Sequence, residues 1–522
     1  MKKEIVIEND IEFAPAHNLR AGNIELLYEP GRVRYIKFKG EEILRMIYPA
    51  IRAEDWATIN GAILKEKIKT TADSFHITFE MEYEEREIKY RASYEINCSN
   101  DMLEYIMNGE ALSSFKSKRV GLCVHHPIET CSGREVSILH PEGKKAVYNF
   151  PELISPVWPF TDIITMSWNT GKNNVDLTFE GDLFETEDQR NWTDDSYKTY
   201  SGPQYKTPML DIHVHDKMRH KIVLSAAAAP GKKDITKDQS EPAKHLFPKI
   251  GYQRSAGQQK LDGTQIAQLK NIPFNHYRVD LHLNADNWKL ILDEAVEEAI
   301  QINTKLELAV YFYNNDTQAL VSALKNITDY LDCIHILSED GVVPDTEFYK
   351  DIYSAIKKEF PGLKTGYGNS GWFADINSVG IENIKSDIFS FLVSPQVHQS
   401  DNRSILENLG SQHSTIETIK HRVGDKPVYV SPIVFNSREN DERLKSKFAA
   451  WWTINSICNF AEAGYLTFYE LTASRGILGT AIYNLLKSIK EINPEYIYRT
   501  EQGVVVENSA GDCLVIKNSA YE

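Results

Sequence analysis

Side chains suited to acid–base chemistry follow apolar runs in the C-terminal half of the chain. His398 comes just after one apolar run together with Asp401, and Glu470 ends another run, TFYEL. A carboxylate that closes an apolar strand must be desolvated or hydrogen-bonded, and desolvation raises its pKa toward the range useful for proton transfer. An imidazole exchanges protons near neutral pH. We therefore expect His398 and Glu470 to be catalytic.

A second polar group alternates along one predicted strand. Arg278, Asp280 and His282 occupy every other position, so they share one face of that strand. Arg278 and Asp280 either bind a ligand or neutralise each other as a structural ion pair, and the sequence leaves both interpretations open. Glu339 and Asp340, in SEDG before VVPD, indicate an acidic turn leading to a helix instead of a site.

The densest polar run, FEGDLFETEDQRNWTDDSYKTY, spans residues 179–200. Charged runs are usually solvated surfaces, but this one alternates with aromatic rings. Aromatic faces beside amides and carboxylates suit a polyhydroxylated ligand, since the rings stack on apolar sugar faces and the polar groups bind hydroxyls. The candidates here are Glu187 and Asp188 as catalytic carboxylates, and Arg190, Asn191, Trp192, Asp194 and Lys198 as substrate-binding residues.

The remaining histidines give weaker signals. His126, in GLCVHHP, either supplies a ring to a binding site or is a structural histidine. His213 and His215 lack a third ligand at a suitable spacing, so surface histidines are favoured over a metal site. The sequence contains no GxSxG, Walker or HExxH motif, so nucleophilic serine hydrolysis and nucleotide use lack support. We predict no metal and no cofactor.

The acidic composition limits the classes of partner. The chain has 58 Lys and Arg against 74 Asp and Glu, a net charge of −16 at pH 7 that repels nucleic acid and anionic membranes. Apolar residues make up 42% of the chain and aromatic residues 11%, which is too much for a disordered protein. The sequence predicts a folded, soluble protein.

Cysteine spacing and the start of the chain indicate the compartment. The six cysteines lie far apart and form no CxxC pair, so neither a zinc ribbon nor a dense disulfide framework is expected. Acidic residues interrupt the start, MKKEIVIENDIEF, which therefore does not read as a signal peptide. No stretch approaches the ~18 apolar residues of a membrane span. We expect a cytoplasmic protein.

The elements that must position these residues fall into two regions. Within residues 1–235, apolar side chains alternate with polar ones, as in Phe75 to Tyr83 and again in Ile88 to Ile96. This period of two predicts hairpins with one buried face, and hence an antiparallel β-sandwich. A polar, proline-containing segment at about 230–247 indicates a linker.

Residues 248–492 change to a pattern of strands and helices in alternation. Eight short apolar runs are separated by segments with helical spacing, which predicts a (β/α)8 TIM barrel; a doubly wound sheet is the main alternative. The fold class is thus α/β plus all-β. Residues 493–522 contain short strands that we expect to join the first β domain.

Several motifs resemble the D-apionate lactonase family. The run at 179–200 carries the resemblance, which continues at RVGLCVHHP, FADIN, SPQVH, VSPIVF and TFYELTASRG, from Arg119 to Gly476. Residues YGNSGW, before FADIN, depart from the family pattern, and the C-terminal end is short. The family consists of bacterial enzymes that open D-apionolactone to D-apionate in apiose catabolism, with a β domain before a TIM barrel.

This resemblance implies a lactonase whose partner is a small sugar-acid lactone. His398 or Glu470 would act as base and acid, and Arg190, Asn191 or Lys198 would polarise the carbonyl. Asn377, in FADIN, is a further substrate-binding candidate.

Two other classes of function stay open from the sequence. A glycoside hydrolase would use two carboxylates at the barrel mouth, at separations of ~5–5.5 Å for retention or ~6.5–9.5 Å for inversion. A carbohydrate-binding protein would hold sugar without turnover.

Overall fold

The computed structural model describes residues 2–230, 243–435 and 440–518, which divide into two units. Residues 14–190 and 195–230 form the sandwich unit, and residues 2–13, 191–194, 243–435 and 440–518 form the barrel unit. Most of the predicted linker, residues 231–242, lies outside the described residues.

The sandwich unit contains two large antiparallel sheets. In spatial order, the eight-stranded sheet consists of Phe160–Ile163, Phe184–Asp188, Ser196–Ser201, Arg119–Pro127, Glu41–Arg52, Arg32–Phe38, Ile24–Glu29 and His17–Ala21. The nine-stranded sheet consists of Lys145–Asn149, Glu135–Leu139, Thr165–Asn169, Asn173–Glu180, Lys217–Ala228, Met102–Ala111, Ile88–Ser99, Ser74–Glu85 and Ala62–Thr70. Phe115–Ser117 pairs separately with Leu210–Ile212, and a short helix spans Ile128–Cys131.

The alternation of apolar side chains builds this core. Along Ser74–Glu85 buried residues alternate with partly exposed ones, and the paired strand Ile88–Ser99 repeats the pattern. Phe79 stacks on Tyr94 with ring centroids 4.7 Å apart. Because the inner faces of both sheets contribute to one buried cluster, the predicted sandwich is confirmed.

The barrel unit contains a closed barrel of eight parallel strands, which confirms the (β/α)8 prediction over a doubly wound sheet. The strands, which we number one to eight, are Lys249–Gln253, His276–His282, Lys305–Phe312, Leu331–Ser338, Lys364–Tyr367, Ile388–Val393, Val428–Ile433 and Gly464–Glu470. The α-helices of this unit are Gly263–Leu269, Trp288–Ile302, Gln318–Leu324, Thr346–Glu359, Phe373–Asn377, Asn402–Glu407, Ser411–Val423, Lys447–Asn459 and Ala481–Ile492.

These helices form because their apolar residues recur on one side. In Trp288–Ile302, the buried apolar residues Trp288, Leu292, Ala295 and Ala299 follow each other at intervals of three or four. That spacing gives the helix one apolar stripe, and parallel neighbouring strands require such a crossover between them.

The C-terminal strands differ from expectation. Tyr496–Thr500, Gly503–Glu507 and Cys513–Asn518 form a five-stranded sheet with Lys2–Ile7 and His245–Leu246. They pair with neither sandwich sheet and belong to the barrel unit. The first strand of the chain supplies the partner of the last, since Lys2–Ile7 runs parallel to Cys513–Asn518.

Candidate active site

The carboxyl ends of the eight barrel strands form one rim, where the loops after the strands converge. Strand one ends at Gln253, strand two at His282 and strand eight at Glu470, while Glu339 directly follows strand four. Because the strands are parallel, their carboxyl ends lie at the same end of the barrel. This rim is the candidate site.

A short segment from the predicted sandwich sequence belongs to the barrel unit. In this 191–194 segment, Asn191 Oδ1 accepts a hydrogen bond from Asn377 Nδ2 at 2.9 Å. Thr193 Oγ1 donates to the carbonyl of Ser394, directly after strand six, at 2.5 Å, and Ser411 Oγ donates to the carbonyl of Thr193 at 2.7 Å. These bonds fix the segment at the rim.

The segment supplies a carboxylate to the predicted histidine. Asp194 Oδ2 lies 2.8 Å from His398 Nδ1, and Asp194 Oδ1 accepts from Asn408 Nδ2 at 3.0 Å. Trp192 meets the His398 ring edge to face, with centroids 6.0 Å apart at 70°. The carboxylate favours the tautomer with the proton on Nδ1, in which Nε2 carries the lone pair. The structure thus brings together three sequence-predicted residues.

Asp401, which follows His398 in the sequence, caps a helix. Its carboxylate accepts from the backbone N–H of Ser404 at 3.1 Å and from Ser404 Oγ at 2.9 Å. An aspartate at this position satisfies an amide in the first turn of Asn402–Glu407. Asp401 therefore stabilises the loop that carries His398.

Hydrogen bonds join the loops after strands six, seven and eight. Gln396 Nε2 donates to Asp441 Oδ2 at 2.5 Å, and Ser474 Oγ donates to Asn440 Oδ1 at 3.1 Å. Burial raises the pKa of Asp441, but hydrogen bonds from Arg443 outweigh that effect, so the pKa lies below its ordinary value. The ionised Asp441 thus holds the loop after strand seven to the loop that carries His398.

Glu470 lies at the rim beside its cationic neighbour. Its Oε1 is 3.4 Å from Arg475 Nε, and its side chain is only 13% exposed. In the strand register Glu470 is opposite Gln253 of strand one. The position agrees with the sequence prediction, but the pairing with Arg475 suits a hydrogen-bond acceptor better than a proton donor.

Arg278 and Asp280 form the ion pair that one of the two sequence interpretations described. Arg278 Nε donates to Asp280 Oδ1 at 2.8 Å, and Gln253 Nε2 donates to Asp280 Oδ2 at 3.1 Å. Arg278 Nη1 also donates to the carbonyl of Ser431 in strand seven at 3.0 Å. Arg278 therefore ties strand two to strand seven, and Asp280 remains partly exposed at the rim, with 25% of its side chain accessible.

His282 forms a second imidazole–carboxylate pair at the rim. Its Nδ1 lies 2.8 Å and 2.9 Å from the two carboxylate oxygens of Glu339. The ring stacks on Tyr311 with centroids 4.2 Å apart and planes at 12°. Glu339 lies at the start of the acidic bend that leads to helix Thr346–Glu359, as the sequence indicated, and its carboxylate also pairs with His282 from a different strand.

A buried carboxylate inside the barrel gave no sequence signal. Glu307 of strand three is fully buried, and it accepts hydrogen bonds from Ser431 Oγ and, at 2.6 Å, from Thr467 Oγ1. His276 and His335 each place Nε2 3.2 Å from it. Burial raises the pKa of Glu307, but the hydrogen bond from His335 and the charge interactions with His276, His335 and Arg278 outweigh burial and hold the pKa well below its ordinary value. Glu307 is a single Glu within the apolar run KLELAVYF, and its partners come from other strands, so the local pattern does not mark it.

Glu187 and Asp188 form ion pairs with arginine side chains of the sandwich unit. Glu187 Oε1 accepts from Arg119 Nη2 at 2.5 Å, and its other oxygen accepts from Gln189 Nε2. Asp188 forms a buried ion pair with Arg190 at 2.7 Å. Carboxylates engaged in this way stabilise the sandwich unit, and a catalytic role for them stays a prediction.

The guanidinium of Arg190 donates hydrogen bonds to groups of the same unit. Nε donates to Asp188 at 2.9 Å, Nη1 to the Glu152 carbonyl at 2.9 Å, and Nη2 to the Pro151 carbonyl at 2.9 Å. These hydrogen bonds anchor the turn Gln189–Trp192. A substrate-binding role of Arg190 stays a prediction.

His126 and Lys198 also lie within the sandwich unit. His126 is fully buried, with Nε2 2.7 Å from Thr199 Oγ1 and its ring 5.4 Å from that of Trp168. Burial lowers the pKa of His126 to about 3, so the ring stays neutral. Lys198 is fully buried and stands opposite Glu187 in the strand register. We leave both outside the rim site.

The described ranges contain neither a cluster of metal-ligating side chains nor a membrane-spanning helix. Among residues 2–230, 243–435 and 440–518, no three or more His, Cys, Asp or Glu side chains are grouped to hold a metal ion. Within the same ranges, no helix has both the length and the apolar character needed to cross a membrane.

Two family models match most of the chain. Residues 6–229 match the N-terminal domain of D-apionate lactonase, and residues 250–493 match its TIM barrel domain. A D-apionate lactonase from Brucella anthropi is 24% identical over 457 residues, which cover 83% of this chain and 74% of that protein.

Solved structures show only distant likeness. A glucosidase from Croceicoccus marinus is 13% identical with a TM-score of 0.38, covering 52% of this chain and 74% of that one. An alpha-galactosidase from Geobacillus stearothermophilus is 8% identical with a TM-score of 0.28, covering 94% and 91%. Likeness at this level carries no information about activity.

Proposed function

Because the chain belongs to the D-apionate lactonase family, we propose that it is a hydrolase that opens a sugar-acid lactone, and specifically D-apionolactone. The single observation that supports a hydrolytic site most directly is the 2.8 Å contact between Asp194 and His398 at the rim. An imidazole oriented by a carboxylate is a general base suited to activating water.

In the proposed reaction, His398 Nε2 takes a proton from water while the water oxygen attacks the lactone carbonyl carbon. Asp194, bonded to Nδ1, stabilises the imidazolium that forms. The charge on the carbonyl oxygen then needs a hydrogen-bond donor, and we assign that task to Arg475, whose side chain is 36% exposed beside Glu470. No metal or cofactor is required by this scheme.

The substrate is a small polyol, and the rim offers groups that match it. Trp192 presents an aromatic ring beside His398, which suits the apolar face of a sugar ring. Asp280 and Glu470 supply carboxylate oxygens that accept hydrogen bonds from hydroxyl groups. We assign these three residues to substrate binding.

The direct test is turnover of D-apionolactone by the purified protein. Opening the lactone releases one proton, so a pH indicator in weak buffer follows the reaction, and the product is identified as D-apionate. Other aldonolactones define the range of substrates. Lack of turnover of every lactone above the buffer rate would refute the proposal.

A glycoside hydrolase is the second candidate, because three carboxylates lie at the rim: Asp280, Glu339 and Glu470. Each is paired with a partner that is or can be cationic: Asp280 at 2.8 Å from Arg278, Glu339 at 2.8 Å from His282 and Glu470 at 3.4 Å from Arg475. A glycosidase needs one carboxyl group held protonated, which such pairing opposes. Turnover of aryl glycosides with no turnover of lactones would favour this candidate.

A further inference from the structure

Lactone opening needs an acid as well as a base. The ring oxygen departs as an alkoxide unless a proton reaches it, and a positioned acid contributes about 10²–10⁴-fold to such a step. The carboxylates of Asp280 and Glu470 each lie beside a guanidinium, at 2.8 Å and 3.4 Å, and accept hydrogen bonds in such pairs. An imidazole at the rim is a better candidate for the proton donor.

His282 has the geometry of that donor. It is the last residue of strand two, and Nδ1 points at the carboxylate of Glu339 at 2.8 Å and 2.9 Å. The side chain is 47% exposed, whereas that of Glu339 is only 17% exposed. The ring is therefore held by a largely buried anion, while about half of the His282 side chain is open to solvent.

Two features keep this ring in a single orientation. Tyr311 of strand three stacks on it with the planes 12° apart, and Glu339 bonds Nδ1 from the end of strand four. A carboxylate at Nδ1 stabilises the imidazolium form, in which Nε2 carries a proton that it can donate. Three neighbouring strands thus contribute one residue each to this arrangement.

The two imidazole–carboxylate pairs occupy different parts of the same rim. His398 follows strand six, whereas His282 ends strand two, and the Arg278–Ser431 hydrogen bond of 3.0 Å ties strand two to strand seven. Separate strands allow one imidazole to accept a proton while the other donates one. A single histidine would have to perform both tasks in turn.

We propose that His282 is the general acid of lactone opening and that Glu339 is the residue that positions it. The inference rests on the proposed function. Water oxygen bonds to the carbonyl carbon as its proton passes to His398, and a tetrahedral oxyanion forms. The bond between that carbon and the ring oxygen then breaks, and the His282 Nε2 proton moves to the ring oxygen. The carboxylic acid product loses one proton to solvent, and the two imidazoles exchange one proton with solvent to reset.

The test compares two leaving groups. A thiolactone, in which sulfur replaces the ring oxygen, expels a thiolate, the conjugate base of a thiol with a pKa of about 8.5, and needs no acid. We expect His282→Gln to lower kcat/KM for the lactone about a hundredfold while lowering kcat/KM for the thiolactone less than about threefold. His398→Gln, which removes the base, should lower both by a similar factor.

Two further variants separate the acid role from structural effects. Glu339→Gln should lower kcat for the lactone about tenfold, with little effect on the thiolactone, because the ring loses the anion that stabilises its protonated form. His421→Gln is the matched control, since His421 is exposed on helix Ser411–Val423, and it should change neither rate.

The outcomes distinguish the acid role from the function itself. Equal loss on both substrates in His282→Gln, or no loss on either, overturns the acid role while lactonase activity of the unmodified protein stands. Selective loss on the lactone in His398→Gln alone would also overturn it, since the two roles would be exchanged. Absence of lactone turnover by the unmodified protein overturns both proposals.

Discussion

Asp194 Oδ2 lies 2.8 Å from His398 Nδ1, although the two residues are 204 positions apart in the sequence. Asp194 comes from a four-residue segment that belongs to the barrel unit while the sequence on both sides of it belongs to the sandwich unit. The carboxylate of the Asp194–His398 pair therefore comes from a part of the chain that precedes all the barrel strands.

Replacing either member of this pair should impair catalysis far more than stability. We expect His398→Gln to lower kcat about 10²–10⁴-fold because the base is lost, and Asp194→Asn to lower it about a hundredfold because the amide stabilises the imidazolium less. Steady-state turnover of D-apionolactone measures the effect. Asp425→Asn, on an exposed turn, is the control, and unchanged kcat in Asp194→Asn would contradict the pairing.

Trp192 should contribute to substrate affinity. Its ring lies beside His398 at a centroid distance of 6.0 Å, and an aromatic contact contributes about 0.5–1.5 kcal/mol. We expect Trp192→Leu to raise KM about two- to tenfold with a smaller change in kcat, and Trp192→Phe to retain most of the affinity. Trp158→Leu, at an exposed position, should leave KM unchanged. A fall in kcat with constant KM would instead assign Trp192 to orienting His398.

The Asp188–Arg190 pair should matter for stability. Arg190→Met leaves the Asp188 carboxylate buried without its cation, which costs about 3–5 kcal/mol, whereas Asp188→Asn combined with Arg190→Met removes both charges and should cost less. Urea denaturation of the single and double variants measures the difference. If the double variant is less stable than Arg190→Met, the two charges do not act as a pair.

Glu307 should make the barrel sensitive to acid. Its pKa in the folded protein lies below the ordinary value of 4.5, so its ionised form stabilises the fold above that pH, and the contribution is lost as the pH falls further toward the folded pKa. We expect Glu307→Gln to lower the free energy of unfolding by about 3–5 kcal/mol at pH 7, with a difference from the unmodified protein that shrinks below about pH 4.5.

Urea denaturation at pH 7 and at pH 3 tests this dependence. Glu347→Gln is the matched control, because the Glu347 side chain is 76% exposed on an outer helix and its loss should have no effect at either pH. A cost for Glu307→Gln that stays constant from pH 7 to pH 3 would show that the pKa of this carboxyl is the same in the folded and unfolded protein, which contradicts the prediction.

Local patterning in the sequence was sufficient to predict both β-rich and barrel architectures. The alternation from Phe75 to Tyr83 specifies which face of its strand is buried, because successive side chains in a strand point to opposite sides. The eight apolar runs of the barrel likewise specify strands, and a residue such as Glu470 at the end of a run is placed at the rim by topology alone. The same reasoning places His398, which follows the apolar run of strand six, at this rim.

Pairings between distant residues could not be predicted in this way. Glu339 follows strand four in an acidic turn that leads to a helix, and nothing in that local pattern indicates that strand two brings His282 to it at 2.8 Å. Arg190 and Asn191 are adjacent in the sequence, yet the first anchors itself in the sandwich unit and the second bonds Asn377 in the barrel unit. Residue type alone does not show whether a polar side chain makes structural contacts inside the sandwich unit or lies at the rim of the barrel.

The sequence by itself determined the two folds, the acidic character of the protein and the placement of polar residues at strand ends, because these depend on local periodicity and composition. Only the tertiary structure decided which charged side chains contact each other. The buried partners of Glu307 come from four other barrel strands, Asp194 reaches His398 across 204 positions, and such contacts depend on barrel closure, which no local pattern encodes.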